Sequence, residues 1–320
     1  MKPAHLTMIA QEVWQYVSST HWQKICKMEV QIMYREIDLS EWTLFSARRH
    51  SQNYYNADKT QHLKIVTNAA HCSAEEEFKK ATLVYKAGVE TPKPLELVSC
   101  NGDTGIIYEY IKDKKSVLRA VTENPDSMEE NMIRWAKIYR KFHDTPCDTT
   151  MFSDFKAEVL KLLNEPNGLN EKQKTFIINF LENEEPRETF IIGDGNPSNF
   201  IFAGDKDYVI DLSECAYGNP EFDLGKYYAD LFGKNPIINF VAQKVLKTNM
   251  KDLRKGWPFF INAYYDTDDE EFLDEKIKKL RIYAAIMQFY SLQMEDTPAA
   301  LIGLRDLMVR GYFKQFIGKV

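Results

Sequence analysis

The sequence predicts an α+β fold in two lobes: a small N-terminal lobe with an antiparallel sheet and one helix, and a larger, mostly helical C-terminal lobe. Two observations predict it. Between residues 41 and 111, short runs rich in β-branched and aromatic residues alternate with polar turns, and one helical segment interrupts them. From about Ser116 onward, apolar residues recur mainly at helical spacing. We therefore expect an N-terminal lobe over residues 1–111 and a C-terminal lobe over residues 112–320.

The small lobe should consist of three strands, a helix and two further strands. Ser73 and Glu76 have the spacing of a capping box, so a helix is expected over residues 74–87, ended by Gly88. Asn101-Gly102-Asp103 indicates a hairpin turn between the last two strands. The five strands are expected at WTLFS (42–46), NYYNA (53–57), HLKIV (62–66), LELVS (95–99) and GIIYEYI (105–111). A further helix, over residues 3–18, should precede this lobe as an extension.

The large lobe should begin with helices over residues 128–143, 152–163 and 171–182. A hairpin between Asp194 and Asp211 interrupts them, and helices then resume to the C-terminus. The acidic run over residues 266–275 is typical of a solvated helix N-terminus, where the helix dipole favours negative charge. The alternative is that this run lines a site for a cationic substrate.

Composition excludes several classes of function. A net charge of −6 and the lack of a dense basic face argue against a nucleic-acid partner. The five cysteines are scattered with no Cys-x-x-Cys pair, which indicates reduced thiols and neither a disulfide framework nor a zinc site. No apolar run approaches the roughly 20 residues that span a bilayer. We expect a cytoplasmic protein with no membrane partner, and the sequence leaves its oligomeric state open.

The residues that carry chemistry cluster between Thr189 and Gly225. Apolar runs lead into Asp194 and into Asp211, and Asn199 follows Asp194 by five residues. Taken singly, Asp and Asn in such a loop are turn formers. Together they have the spacing with which protein kinases place a base for the substrate hydroxyl and hold magnesium with an asparagine and a second aspartate. The pattern predicts a phosphotransferase.

A lysine within the third strand fits this chemistry. Lys64 precedes the helix that carries Glu75, Glu76 and Glu77, so a lysine–glutamate pair between strand and helix is available, and the register favours Glu77. Such a pair places the lysine on the α- and β-phosphates of a nucleotide. The alternative is a lysine on the solvated face of the strand.

Two other segments are harder to assign from the sequence. The turn over residues 47–52 is where a phosphate-covering loop is expected, yet it contains no glycine. Side chains of Arg48, Arg49 or Ser51 could replace the backbone contacts, or the turn is an ordinary basic surface loop. His143 has no nucleophile beside it in sequence, and a structural histidine is the expected interpretation.

These motifs resemble the aminoglycoside phosphotransferase and choline kinase superfamily, the small-molecule branch of the protein-kinase-like fold. The resemblance runs from about residue 43 to residue 228, and within it the chain looks like bacterial small-molecule phosphotransferases of unassigned substrate. The family's catalytic loop reads His-Gly-Asp-x-x-x-x-Asn, and residues 192–199, IGDGNPSN, occupy it here. Ile192 therefore stands in place of the family's histidine.

The resemblance implies a role for each residue of the site. Asp194 is the catalytic base, and Asn199 and Asp211 are the magnesium ligands. Asp223 matches an aspartate that braces the catalytic loop from the following helix. The residues implied to bind ATP are Lys64, its partner Glu77, and the backbone of Glu109 and Ile111, which meets the adenine.

The function expected from the residues and the resemblance together is an ATP- and magnesium-dependent phosphotransferase. It would move the γ-phosphate to a hydroxyl of a small molecule, of the aminoglycoside, amino alcohol or sugar type. The alternative is a pseudokinase, a nucleotide-binding or scaffold protein without turnover, suggested by Ile192 and by the glycine-free loop.

Overall fold

The computed structural model describes residues 34–47, 51–67, 72–233, 244, 250–294 and 297–318. Two expectations lie outside these ranges: the helix over residues 3–18, and Arg48 and Arg49 of the glycine-free loop. Among the described residues, no helix combines the length and the apolar character that crossing a bilayer requires.

The small lobe is a six-stranded sheet with one helix, α1 (Ala74–Lys86), between its fourth and fifth strands. Its strands are β1 (Arg35–Glu36), β2 (Trp42–Ala47), β3 (Ser51–Asn56), β4 (Gln61–Val66), β5 (Pro94–Cys100) and β6 (Asp103–Glu109). Their order in the sheet is β1-β5-β6-β4-β3-β2. The five predicted strands are confirmed, and all neighbours pair antiparallel except the unpredicted β1, which pairs parallel with β5.

Strand alternation decides where Lys64 points. Its neighbours Leu63 and Ile65 are buried in a cluster with Val98 and Ile107 on one face of the sheet. Since successive side chains of a strand alternate between faces, Lys64 belongs to the opposite face. Helix α1 packs against β5 and β6 of this sheet, which brings its residues within reach of the lysine.

The start of α1 follows the predicted capping box. The Ser73 hydroxyl accepts the N–H of Glu76, and the Glu76 carboxylate accepts the N–H of Ser73. Both bonds satisfy donors that the first helical turn leaves free. The cap therefore sets where the helix begins, and Glu77 follows in its first turn.

The large lobe is mostly helical, with short strands at the site. Its helices are α2 (Val117–Glu123), α3 (Met128–His143), α4 (Phe155–Leu163), α5 (Glu171–Glu182), α6 (Glu221–Phe232), α7 (Met250–Arg254), α8 (Trp257–Tyr265), α9 (Glu270–Met294) and α10 (Ile302–Phe316). Its strands are β7 (Lys115–Ser116), β8 (Phe190–Ile191), β9 (Phe200–Ala203), β10 (Lys206–Val209) and β11 (Ala216–Tyr217). Strand β9 lies between β10 and β7, and β8 pairs with β11.

Most predicted helices of this lobe are confirmed, and one boundary is wrong. The helix expected from residue 152 begins at Phe155, because the Asp154 side chain caps it by accepting the N–H of Ala157. The acidic run precedes and opens α9: the exposed Asp269 carboxylate accepts the N–H groups of Glu271 and Phe272. The run is thus a solvated helix N-terminus, as expected.

The core of the large lobe supports the hairpin that carries the site. Helices α3 and α8 pack together, and the rings of Trp135, Tyr139, Phe200 and Phe260 meet edge-on or stacked between them. Phe200 opens β9, so this aromatic cluster fixes the strand that follows the catalytic loop. Strand β6, the last strand of the small lobe, ends at Glu109, and β7 pairs with β9 of the large lobe. The boundary between the lobes therefore lies between residues 109 and 115, and we propose residue 111 as the division.

Candidate active site

A lysine between two carboxylates joins the lobes at the centre of the cleft. The Lys64 Nζ lies 2.7 and 2.8 Å from the two carboxylate oxygens of Glu77 and 2.9 Å from Asp211 Oδ1. Glu77 comes from α1, and Asp211 comes from the residues just after β10. The sequence prediction of a Lys64–Glu77 pair is therefore confirmed, and Asp211 joins it.

Burial makes this contact strong. Glu77 is 3% exposed and also accepts a hydrogen bond of 3.1 Å from the Tyr108 hydroxyl. Burial disfavours the charge of Lys64, but the carboxylates of Glu77 and Asp211 more than offset this and hold the pKa of Lys64 above its ordinary value. Lys64 therefore presents a permanent positive charge to the cleft.

Asp211 reaches the lysine through a left-handed backbone. Its φ is +61°, a region that most non-glycine residues avoid and that aspartate tolerates better. Such a conformation turns the chain sharply at the end of β10. Strained backbone of this kind persists where the surrounding structure holds it, and it is common at functional sites.

The predicted base and the predicted metal ligand lie in one closed loop. Asn199 Nδ2 donates to the carbonyl oxygen of Asp194 at 2.9 Å and to its carboxylate at 3.3 Å. Asn196 Nδ2 donates to the same carboxylate at 2.9 Å. Asn199 is only 5% exposed, so its position is fixed by these bonds. The five-residue spacing thus closes a turn that holds Asp194 and Asn199 together.

A buried aspartate anchors this loop from α6. The Asp223 carboxylate accepts the N–H of Ile192 at 2.6 Å and that of Gly193 at 2.9 Å. Its side chain is fully buried and also bonds His143 Nε2 at 3.0 Å, while His143 Nδ1 bonds the Tyr264 hydroxyl. His143 is therefore a satisfied structural histidine, and Asp223 lies where the resemblance implied.

Ile192 occupies the position of the family's histidine without exposing a polar group. Its side chain is fully buried in the hydrophobic core. Asp223 binds the backbone N–H of this residue, so this anchor of the loop does not depend on a polar side chain at position 192.

The donor set is suited to magnesium. Asn199 and Asp211 line the same cavity and offer an amide oxygen and carboxylate oxygens, the hard ligands that magnesium prefers. Magnesium sites in phosphotransferases take one or two protein ligands and complete their coordination with phosphates and water. In the described part of the chain, no cluster of three or more His, Cys, Asp or Glu side chains forms a closed metal site. The pair therefore fits a metal that is shared with a nucleotide.

A cavity of about 220 Å³ opens between the lobes beside these residues. The predicted residues Lys64, Glu77, Glu109, Ile111, Asn199 and Asp211 all line it. Its walls also include Phe45, Ser46, Ser51, Asn53, His62, Lys114, Ile201 and Ile210. The predicted nucleotide residues are thus brought to one cavity, and Ser51 is the described member of the glycine-free loop on its wall.

Three residues near Asp194 were missed by the sequence interpretation: Glu214, Lys226 and Asp230. Lys226 Nζ forms an ion pair of 2.8 Å with Asp230, one turn further along α6. Although part of Glu214 is exposed to solvent, desolvation of its carboxylate and the nearby charge of Asp194 raise its pKa to about 7. The sequence signal was the i, i+3, i+7 spacing of Asp223, Lys226 and Asp230, which places all three on one helix face.

Comparisons with known proteins agree on family and fold. The profile of the phosphotransferase enzyme family matches residues 41–256. A search of curated proteins finds no match. The fold is similar to that of a choline/ethanolamine kinase family protein from Mesorhizobium loti (TM-score 0.55, 14% identity, 92% of this chain and 95% of that one covered). It is also similar to an ethanolamine kinase from Plasmodium vivax (TM-score 0.56, 16% identity, 88% and 84% covered). A third similar structure is the aminoglycoside phosphotransferase APH(2'')-Ib in its ADP-bound form (TM-score 0.56, 13% identity, 90% and 97% covered).

Proposed function

Because the chain belongs to the phosphotransferase enzyme family, we propose that it transfers the γ-phosphate of ATP to a hydroxyl group of a small molecule, with magnesium as the metal ion. One observation carries the proposal: Lys64 Nζ lies within 2.9 Å of both Glu77 and Asp211, in the cavity that Asn199 also lines. A lysine held in this way meets the phosphates of a nucleotide. The ADP bound to one structure of similar fold supports a nucleotide in this cleft.

Each residue has a role in this proposal. Lys64, held by Glu77, binds the α- and β-phosphates, and the backbone at Glu109 and Ile111 meets the base. Asn199 and Asp211 hold magnesium, which when bound offsets the negative charge of the phosphate oxygens.

Asp194 orients the acceptor hydroxyl. The hydroxyl oxygen forms a bond to the γ-phosphorus while the bond from that phosphorus to the ADP oxygen breaks. The hydroxyl proton passes to the Asp194 carboxylate and from there to solvent. The catalysis is mostly positioning and electrostatic stabilisation.

The acceptor belongs to the classes that the sequence suggested: an aminoglycoside, an amino alcohol or a sugar. Proteins of similar fold are described as choline, ethanolamine and aminoglycoside phosphotransferases, which supports a hydroxylated small molecule. A screen of hydroxylated amines and sugars with ATP and magnesium, read out as ADP formed, identifies the acceptor.

Nucleotide binding is tested first, because it needs no acceptor. We expect millimolar ATP with magnesium to raise the melting temperature of the wild type, since a ligand that binds only the folded state stabilises it. Lys64→Ala should weaken this shift, whereas Lys79→Ala, which removes an exposed lysine of α1, should retain it. A wild type that shows no shift contradicts the proposed function.

Turnover separates the roles of the two aspartates. Asp194→Asn removes the base but leaves both magnesium ligands, so it should bind ATP and lose about 10²–10⁴-fold in kcat. Asp211→Asn removes a ligand charge and should weaken magnesium-dependent ATP binding. An Asp194→Asn variant with full kcat contradicts the assignment of the base. ATP binding without turnover on any acceptor would favour the pseudokinase alternative.

A further inference from the structure

One face of α6 carries charged residues toward the catalytic loop. Asp223 binds the backbone N–H groups of Ile192 and Gly193, immediately before Asp194. Lys226 and Asp230 follow Asp223 by three and seven residues, which places them on the same side of the helix. The helix that anchors the loop thus also carries a lysine on the side that faces it.

Lys226 is held in a defined position. Its side chain is 15% exposed, and its Nζ lies 2.8 Å from Asp230 Oδ2. Gln288 of α9, itself 6% exposed, lies near the Asp230 carboxylate and favours its charged form. A lysine fixed by such a chain of contacts loses little further conformational freedom when it acts on another group.

The surroundings of Lys226 are rich in carboxylates. Burial disfavours its charge, but Asp230, Asp194 and Glu214 more than offset this and raise the pKa of Lys226 above its ordinary value. Glu214 packs closely against the residue before Asp194: a Cβ added to Gly193 would lie 2.9 Å from the Cβ of Glu214. Lys226 is thus charged, and it belongs to the helix that anchors the two residues before Asp194.

The catalytic loop itself has no cation. Residues 194–199 read Asp-Gly-Asn-Pro-Ser-Asn, without lysine or arginine. Lys64 is held between Glu77 and Asp211, on the nucleotide side of the site. Negative charge spreads over the transferred phosphoryl group in the transition state, and fixed positive charge near it lowers the barrier.

We propose that Lys226 supplies the positive charge on the acceptor side of Asp194 and that it stabilises the phosphoryl group during transfer. The proposal rests on the proposed function. Lys226 acts while the bond from the acceptor oxygen to the γ-phosphorus forms and the bond to the ADP oxygen breaks. It binds neither ADP nor magnesium, and its contribution therefore appears in kcat and in the binding of transition-state mimics.

The first test uses binding alone and needs no acceptor. The melting temperature is measured with ADP and magnesium, and again after aluminium fluoride, a mimic of the transferred phosphoryl group, is added. We expect Lys226→Met to keep the wild-type shift with ADP and magnesium and to lose the added shift from aluminium fluoride. Lys226→Arg should keep both. Lys279→Met, which removes another ion-paired lysine far from Asp194 in sequence and bound to Glu184 and Glu221, should also keep both.

The second test is turnover of ATP with the acceptor found in the screen, or with water. We expect Lys226→Met to lower kcat by about 10- to 100-fold with little change in the KM for ATP, and Lys226→Arg to recover most of it. Removing Lys226 alone leaves Asp230 unpaired, which can destabilise the fold. The double variant Lys226→Gln/Asp230→Asn removes both charges and should lose the aluminium fluoride shift as well.

The outcomes separate the two proposals. If the wild type binds no magnesium nucleotide, the proposed function is wrong and the role of Lys226 falls with it. If the wild type binds nucleotide and gains stability from aluminium fluoride, and both Lys226→Met and the double variant gain it equally, the proposed function stands and Lys226 is a structural lysine only.

Discussion

Gly193 shows how closely single residues constrain the catalytic loop. Its φ is +79°, which glycine adopts readily and other residues avoid. A Cβ at this position would lie 2.6 Å from the Glu214 carbonyl oxygen, closer than real Cβ atoms come to backbone. The residue before Asp194 must therefore be glycine for two independent reasons.

We expect Gly193→Ala to destabilise the protein and to abolish most turnover. The left-handed backbone alone costs about 1–2 kcal/mol with a Cβ, and the contact with Glu214 adds to it by displacing the loop. Gly204→Ala is the matched control, because Gly204 has a φ of +58° with open space around its Cβ. Gly204→Ala should lose only the stability that a left-handed backbone costs a residue with a Cβ, and its turnover should be normal. Equal denaturation midpoints and equal kcat for the two variants would contradict the close contact at Gly193.

Ile192→His restores the residue of the family motif. We expect this variant to fold, with a free energy of unfolding about 1–2 kcal/mol lower than that of the wild type. Ile192 is fully buried, so the imidazole would enter an apolar site. Its backbone N–H stays bound to Asp223, which keeps Asp194 in place and preserves nucleotide binding. Chemical denaturation measures the change in the free energy of unfolding. Ile192→Val is the control, because it reduces the volume of the buried side chain without adding a polar group. Turnover that appears only in Ile192→His would show that Ile192 had switched off an ancestral enzyme.

The sequence predicted contacts that depend on local pattern and register. Lys64 and Glu77 could be paired because one strand and the helix that follows it constrain both residues. Lys226 could not be assigned to Asp194, because that proximity depends on how α6 docks against a loop about 30 residues earlier. Lys226 and Asp230 follow Asp223 by three and seven residues, and this spacing is the sequence signal for their shared helix face. The same spacing occurs by chance on many solvated helix faces, so it could not identify Lys226.

Helix α1 is the element that links local folding to the proposed nucleotide site. Its first turn is set by the capping box of Ser73 and Glu76, and Glu77 follows directly. Helix α5 begins with an equivalent box, in which Asn170 and Gln173 exchange the same two hydrogen bonds. The two helices therefore offer the same cap in two contexts, and of the two only α1 carries a residue, Glu77, that contacts Lys64.

We expect Ser73→Ala and Asn170→Ala to destabilise the protein by about 1 kcal/mol each, the usual effect of losing an N-cap. Only Ser73→Ala should also weaken ATP binding, because fraying of the first turn of α1 loosens Glu77 and with it Lys64. Calorimetric titration with ATP and magnesium measures the difference. An unchanged affinity in Ser73→Ala would show that contacts with the sheet hold Glu77 without the cap.

The elements that the sequence missed are short and depend on tertiary pairing. Strands β7 and β11 have two residues each, too few to produce a hydrophobic period. Strand β7 is formed by pairing with β9, and β11 by pairing with β8, the expected strand that leads into Asp194. Long helices such as α3 and α5, by contrast, carry their own periodicity and caps, and both were predicted to the residue.

At the scale of the whole molecule, three contacts connect the two lobes near the end of β10. The ion pair of Lys64 with Asp211 is one tie. Lys80 of α1 donates to the Ser213 carbonyl at 2.6 Å, and the Val209 N–H donates to the Glu90 carbonyl at 2.9 Å. All three ties end within five residues of the end of β10. Asp211, the proposed magnesium ligand, therefore lies in the segment that also connects the lobes.

His62 and Glu214 make the stability of the protein depend on pH in two opposite ways. Burial, with help from Lys114 and Lys64, lowers the pKa of His62 to about 3, well below the 6.5 of an unfolded chain. Below pH 6.5 the unfolded chain takes up a proton that folded His62 refuses, so its contribution to stability is lost as the pH falls. Desolvation raises the pKa of Glu214 from 4.5 to about 7. Between those values the folded protein holds the extra proton, so this contribution is lost as the pH rises.

We therefore expect matched variants to change the pH profile of the melting temperature in opposite senses. From pH 4 to 6.5, the wild type should gain stability relative to His62→Gln, by at most about 1.4 kcal/mol per pH unit for one proton. From pH 4.5 to 7, the wild type should lose stability relative to Glu214→Gln, since only the wild type must ionise a carboxylate beside Asp194. Thermal melts of the three proteins across this range measure both differences. Profiles that run parallel for the wild type and His62→Gln would show that His62 is protonated equally in the folded and unfolded chain. Parallel profiles for the wild type and Glu214→Gln would show that the Glu214 carboxylate is fully hydrated in the folded protein.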